Sequence, residues 1–369
     1  MLFNIYGDTA MTQLLGWVLV FAGLIIMNEI GRRTKAGGVL VFVVLPLVLT
    51  VYFILANLGV LGADNPTKVY MGGWFHYAKL YAADIGCVGF MMIKYKWGIG
   101  KQEWFRVWPW LIVSINILIA VASDFESAFK GFAAGGMQGG WWYSVEGVWL
   151  YGGWWNVVNA IAGLINCLCM TGCWSVFASK DGKDMIWADM TIWFIVAYDI
   201  WNFAYTYNCL PTHSWYCGIA LLLAPTIAAI CWNRGGWIQN RANTLAIWCM
   251  FAQVFPLFQE TFFNGKQFFP WAVLPVQYVN GIETVNAIYA TSGLGEEVVE
   301  HTTVVAEGAT AADPTAMLVI SALALITNVI AFGYIMYQAK VRKINPYKED
   351  VFVNQKYYKD SMARAVVNS

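Results

Sequence analysis

Runs of about 20 apolar residues recur along this chain, and they constrain its fold more than any other feature. A helix needs that length to cross the ~30 Å hydrocarbon core of a bilayer. Nine runs qualify: 12–31, 38–61, 75–94, 105–122, 154–177, 187–207, 212–232, 243–262 and 315–338. Only 12% of the 369 residues are charged and 59% are hydrophobic. A soluble domain carries about twice that share of charge. The chain therefore reads as an all-α, polytopic transmembrane helix bundle of about nine spans. An ordinary soluble enzyme is excluded. The zero net charge offers no bulk attraction to nucleic acid.

Basic residues set the expected orientation. With the N-terminus outside, eighteen of the 22 Lys and Arg fall on one side of the membrane. They include Arg32, Arg33, Lys94, Lys96, Lys180, Lys183, Arg234, Arg241 and seven residues of the C-terminal tail. This is the positive-inside asymmetry, and it requires an odd number of spans. Residues 1–340 then form the transmembrane domain, and 341–369 a polar, partly ordered cytoplasmic tail. The N-terminal MLFNIYGD lacks a basic stretch, so the first span is expected to be retained. The outer segments, 123–153 and 263–314, carry much of the acid, including Asp124 and Glu126.

Aromatic residues are in excess: 20 Trp, 19 Tyr and 22 Phe. Trp and Tyr concentrate in 141–155 and 198–216, both on the expected outer half. Gly-Gly-Trp occurs four times, at residues 72–74, 139–141, 152–154 and 235–237. Two copies open outward-to-inward spans and continue as Trp74-x-His76-x-x-Lys79 and Trp154-x-Asn156-x-x-Asn159. Positions three apart share a helix face, so each span begins with two polar groups on one side. A parallel repeat is one reading. An interfacial Trp anchor after a Gly bend is the other.

Ionisable groups at membrane depth are costly and mark candidate sites. The third span carries His76, Lys79 and Asp84, and the sixth carries Asp199 with Asn202. Lys79 and Asp84 lie about 140° apart around a helix, so each is expected to find its partner elsewhere. Lys79 or His76 with Asp199, and Asp84 with an amide-bearing helix, are the natural pairings. Asn156, Asn159 and Asn166 line the fifth span; Asn116, Gln253 and Asn328 read as packing amides. The stretch 197–218 is the densest, with Trp201, Asn202, Tyr205, Tyr207, His213 and Trp215 around Asp199. A carboxylate ringed by Trp and Tyr suits an organic cation. The same rings suit a flat aromatic ligand.

Chemistry motifs are sparse. The eight Cys and three His form no multi-His or zinc pattern, so no metal and no cofactor are expected. Whether Cys209 and Cys217 are bridged stays open. There is no phosphate-binding glycine loop before a helix and no nucleophile elbow. Arg234 and Arg241, in the inner loop NRGGWIQNR, obey the positive-inside rule or grip a lipid headgroup.

The segments IYGDTAMTQLLGW, WFHYAKLYAADIGC, YDIWNFAYTYNCLPTHSWYCG and WNRGGWIQNR together resemble a family of polytopic bacterial membrane proteins catalogued as a domain of unknown function. The resemblance covers nearly the whole chain. It implies a multi-pass protein of the bacterial inner (plasma) membrane and brings no activity or site residues.

Three functions fit these observations. The first is a transporter or permease for a small aromatic or cationic ligand. There Asp84 and Asp199 couple protons or sodium, His76 and Lys79 line the mouth, and Trp201, Tyr205, Tyr207 and Trp215 form the wall. It requires a water-accessible cavity at Asp84 or Asp199. The second is a membrane-embedded enzyme on an apolar substrate, with His213 or Asp199 as acid/base and Arg234 or Arg241 as a clamp. The third is a receptor or assembly subunit. Expected partners are membrane lipids, a small-molecule ligand and further copies of the chain, with no nucleic acid.

Overall fold

The computed structural model describes residues 2–5, 10–62, 65, 67–68, 71, 74–144, 149–211, 214–251, 254, 261–262, 266–267, 273–275 and 314–367. His213, Gln253 and almost all of the segment 263–314 lie outside the described residues, as do Gly72 and Gly73.

The fold is mostly helical. In order come α1 (Ala10–Arg33), α2 (Lys35–Val39), α3 (Leu45–Asn57), α4 (Trp74–Tyr95), α5 (Trp108–Gly135), α6 (Trp154–Leu168), α7 (Ile192–Cys209), α8 (Leu221–Cys231), α9 (Trp237–Phe251), α10 (Thr315–Arg342) and α11 (Lys356–Met362). Turns of π-helix at Leu40–Val44 and Tyr216–Ala220 lead into α3 and α8. Pro109 sits in the first turn of α5, where a helix N–H often lacks an intrahelical partner, whereas Pro46 follows the π-turn within the continuous stretch Lys35–Asn57 and Pro225 lies inside α8. Thr34 caps α2 by accepting from the Gly37 N–H at 2.9 Å.

Among the described residues, four helical stretches are long and apolar enough to cross a membrane: Gln13–Arg33, Lys35–Asn57, Glu103–Gln138 and Thr315–Arg342. Trp154–Leu168 and Tyr216–Cys231 are shorter apolar helices. Leu, Ile and Val side chains on the outer faces of α1, α3 and α10 remain exposed, as a lipid-facing surface would.

Several expected boundaries move. The span placed at 105–122 continues as helix to Gly135, so Asp124 and Glu126 belong to α5 and not to a loop. The span placed at 154–177 stops at Leu168. An antiparallel hairpin follows it, β4 (Val176–Ala178) with β5 (Met185–Trp187), and α7 begins only at Ile192. Residues 169–177 and 187–191 are apolar enough to read as membrane, but most of their side chains are buried by protein, with Trp174 exposed. The span placed at 243–262 begins at Trp237 and ends at Phe251, which draws Arg241 out of the expected loop and into a helix.

Two apolar cores meet at α4. One joins α5, α6, α7, α10, the β4–β5 hairpin and the C-terminal segment. The other joins α1, α3, α8 and α9. Helix α4 feeds both, giving Phe75 and Phe90 to the first and Leu80, Cys87 and Met91 to the second. Close helix approach depends on glycine at Gly163, where an added Cβ would lie 2.6 Å from Val121 and 2.7 Å from Trp201. The Trp-rich segment after α5 forms a second hairpin, β2 (Gly140–Tyr143) with β3 (Trp149–Gly152), which lies against α5.

The C-terminal tail is folded, contrary to the partly ordered tail expected of a polar sequence. Val351, Phe352, Tyr358 and Ala365 are buried. Ala365 bridges to Ser179 and the Val366 N–H donates to Ala178 at 2.9 Å. Beneath them Asp189, outside any helix, accepts from Thr171 Oγ1 at 2.5 Å and from the N–H groups of Val351 at 3.0 Å and Phe352 at 2.8 Å. Burial outweighs these donors and pushes the Asp189 carboxyl up to about 6. Asp184, in the hairpin turn, is held between Arg32 of α1 and Arg364 of the tail. Lys94 of α4 donates to the backbone carbonyls of Arg32 and Lys183. These basic residues gather at one end of the bundle, called here the tail end.

Candidate functional site

A grouping of buried polar side chains surrounds a cavity between α4, α7 and α9. Helix α4 presents His76 and Lys79 at the spacing of three read from the sequence. Helix α7 presents Tyr198, Asn202, Tyr205 and Thr206, and α9 presents Arg241 and Trp248. Asn116 of α5 and Cys217, beside the π-turn, complete the wall. The empty space among them is about 610 Å³ with the open mouth counted, of which about 40 Å³ is cavity proper, room for about three waters.

Two cations face this space. Lys79 Nζ donates to the Asn116 backbone carbonyl at 3.0 Å and lies 5.7 Å and 5.6 Å from the ring centres of Phe75 and Tyr205. The Arg241 guanidinium lies 5.7 Å from the Tyr198 ring centre and Nη2 donates to Asn202 Oδ1 at 3.3 Å. Its Nε and Nη1 are buried with no hydrogen-bond partner among the described residues. An unpartnered guanidinium donor in a dry site costs about 1–3 kcal/mol, so it is a group waiting for an acceptor. Among the described residues no Asp or Glu lines the cavity.

The expected carboxylates lie elsewhere. Asp199 is within electrostatic range of Arg241, but Asp199 Oδ2 accepts from Thr226 Oγ1 at 2.8 Å. Thr226 in turn accepts from Trp237 Nε1 at 2.9 Å. The pairing of Lys79 or His76 with Asp199 is therefore replaced by the Lys79–Asn116 and Asp199–Thr226 bonds. Asp84 is buried on α4, with Oδ1 unpartnered among the described residues. Neither aspartate lines this cavity, whose charged wall residues among those described are Lys79 and Arg241, with His76 beside them.

Of the aromatic wall, Tyr205 reaches the cavity and three rings do not. Trp201 is fully buried and donates Nε1 to the Asn159 carbonyl at 3.2 Å. Tyr207 donates to the Leu2 carbonyl at 2.5 Å and packs edge-on against Phe3. Trp215 packs on Phe3 and Trp17. These rings anchor the N-terminal residues to α7.

Asn156 and Asn159 build a separate polar centre. Asp124, completely buried, accepts from Asn156 Nδ2 at 3.1 Å, Asn159 Nδ2 at 2.7 Å and Cys209 Sγ at 3.3 Å. Sequence reasoning missed Asp124 as a site residue and placed Arg241 in an inner loop, as a headgroup clamp, because each stood just outside an assigned span. The signal for Asp124 was its helical spacing from apolar Ile117, Val121 and Ala128. Arg241 offered the run of small and amide residues around it, which suits a buried helix face. The two Gly-Gly-Trp spans thus open onto different centres, one cationic and one anionic. Trp74 and Trp154 at their heads are exposed, which favours the anchoring reading of the motif.

Among the described residues no cluster of His, Cys, Asp and Glu is arranged to hold a metal. The cysteines of the described residues are free thiols, Cys209 and Cys217 included. Arg234 is paired with Asp360 at 2.6 Å.

The chain belongs to a family of unknown function (DUF5692), whose model matches residues 7–364. Neither the curated proteins nor the solved structures give a match.

Proposed function

We propose that this protein is a multi-pass membrane permease for a small organic anion, bound between Lys79 and Arg241. The observation that carries the reading is the Arg241 guanidinium, buried in a cavity with two donors unspent and, among the described residues, no carboxylate in the wall. Guanidinium recognises carboxylate, sulfonate or phosphate through paired N–H donors. Lys79 adds a second charge, Asn202 a hydrogen-bonding amide, and Tyr198, Tyr205 and Trp248 apolar faces. The sign of the site favours an anion over the cation that the Asp199 region suggested.

The membrane frame follows the same logic. In this reading the chain crosses nine times, with α2 and α3 forming one span and the π-turn and α8 another. Helices α6 and α9, each of 15 residues, reach only about 22 Å at 1.5 Å per residue, so they cross with help from their flanking segments. The tail end faces the cytoplasm of a bacterial inner membrane, because Arg32, Lys94, Lys183, Arg234 and Arg364 collect there. The N-terminus lies outside.

The test is equilibrium binding to the purified full-length protein in lipid nanodiscs. Radiolabelled succinate and p-toluenesulfonate serve as anions, and benzyltrimethylammonium as the cation. Binding of an anion that is lost in Lys79→Gln and Arg241→Gln supports the reading. Binding of the cation alone, or anion binding unchanged in both variants, overturns it.

A further inference from the structure

A second cavity opens beside the first. It lies between the β2–β3 hairpin and the ends of α4, α5 and α7 opposite the tail end, with about 630 Å³ of empty space. Glu126, Trp142 and Cys209 line it, and Phe75 and Leu210 line both it and the cationic cavity. The two side chains form the partition between vestibule and binding site. Directly behind Cys209 sits the Asp124 centre.

That centre is an unusual environment for a carboxylate. Its partners are two amides and a thiol, all neutral. Among the described residues, the groups packed around it carry no compensating cation. On α5 itself Glu126 and Lys130 are exposed. On α4, His76 and Lys79 face the cationic cavity. From α7 comes Cys209, and from the hairpin Trp142, which donates to Ser127 at 3.2 Å. Tyr151 stacks on Trp155. A buried carboxylate without a cation is held either by protonating or by exchanging its partners.

The amides differ in a way that allows this exchange. Asn156 is locked, because Asn156 Oδ1 accepts from the Gly153 N–H at 3.2 Å while Nδ2 serves Asp124. Asn159 is not locked: its Oδ1 is buried with no partner among the described residues. Reversal of that amide turns an acceptor towards Asp124 in place of a donor.

The geometry points to Asp124 as a proton-binding residue that takes its proton from the vestibule, with Asn159 reversing to accept the new O–H. One proton joins one carboxylate oxygen; the Asn159 Nδ2 donor leaves and Asn159 Oδ1 takes its place. Cys209 and Leu210 sit at the end of α7, the helix that also carries Asn202 and Tyr205, so the exchange is felt at the partition. Resting on the permease reading, this makes the protein a proton-coupled anion carrier.

The test has two arms, both on the full-length protein. In acid-minus-alkaline infrared difference spectra between about pH 4 and 9, the wild type shows a carboxylic-acid carbonyl band that Asp124→Asn lacks. Asn159→Leu keeps the band but moves its frequency. A band set identical in wild type and Asp124→Asn overturns the assignment, and an Asn159→Leu band at the wild-type frequency overturns the amide's part in it. In proteoliposomes, an inward proton gradient speeds succinate or p-toluenesulfonate uptake several-fold, and Asp124→Asn loses that stimulation while retaining anion exchange. Stimulation by a sodium gradient instead overturns proton coupling. If no anion binds or moves in the wild type, the permease reading falls, while the infrared arm still decides Asp124.

Discussion

Replacing Arg241 by methionine tests whether the guanidinium is held for the fold or for a ligand. Met is of similar length and flexible, and it carries no donor. The exchange removes two buried donors with no partner, each costing about 1–3 kcal/mol. It also removes a like charge from the wall shared with Lys79. Against this stand the 3.3 Å bond to Asn202, worth about 1 kcal/mol, and the contact with the Tyr198 ring, worth about 0.5–2 kcal/mol. These terms sum to between about −1 and +4.5 kcal/mol, centred near 2 kcal/mol in favour of Met, in line with other replacements of buried charge by apolar side chains. For a chain of 369 residues, about 2 kcal/mol raises the unfolding midpoint by roughly 2–3 °C. Thiol-reactive dye unfolding reads this directly, because the described cysteines are buried or half-buried except Cys231, which is exposed and can be blocked beforehand. The same variant is expected to lose anion binding. A midpoint lowered by the substitution would refute the reasoning, because it would mean that the guanidinium is satisfied and structural.

Two further outcomes check the surrounding structure. Asp189, raised to about 6 from its ordinary 3.8, binds its proton more tightly folded than unfolded. Its contribution is therefore present below about pH 4 and lost as pH rises through about 6, a change of about 3 kcal/mol. Hydrogen exchange at the Val351 and Phe352 amides should speed up over that window in the wild type relative to Asp189→Asn; a constant ratio would show that burial does not dominate at Asp189. Asn328 accepts from Asn166 at 2.7 Å and donates to the Ala197 carbonyl at 3.1 Å. Asn328→Leu should cost about 1–2 kcal/mol, at the upper end for bonds between membrane helices, and leave anion affinity unchanged when measured by the same nanodisc assay.

The polar centres show what one sequence does and does not reveal. His76, Lys79, Asn202 and Tyr205 were legible because an ionisable or amide group inside an apolar run stands out against the solvation cost of placing it there. Asp124 and Arg241 did not stand out. Each sits one turn beyond the edge of an apolar run, where a charge costs nothing if the edge faces water. Only the continuation of α5 to Gly135 and the early start of α9 at Trp237 put them in the interior. The sign of the cavity then reversed, since Asp199 is taken up by Thr226 while Arg241 turns inwards.

The apolar runs and the scarcity of charge determined a mostly helical fold and apolar helices long enough to cross a membrane, because those properties depend on segment length and composition alone. Which polar groups share a cavity was decided by helix packing. So was the burial of most of residues 169–177 and 187–191 by protein: a hydropathy run cannot distinguish burial by lipid from burial by protein. The cationic cavity and the Asp124 centre exist only because α4, α5, α6, α7 and α9 bring together residues up to 174 positions apart in the chain, from Phe75 to Cys249.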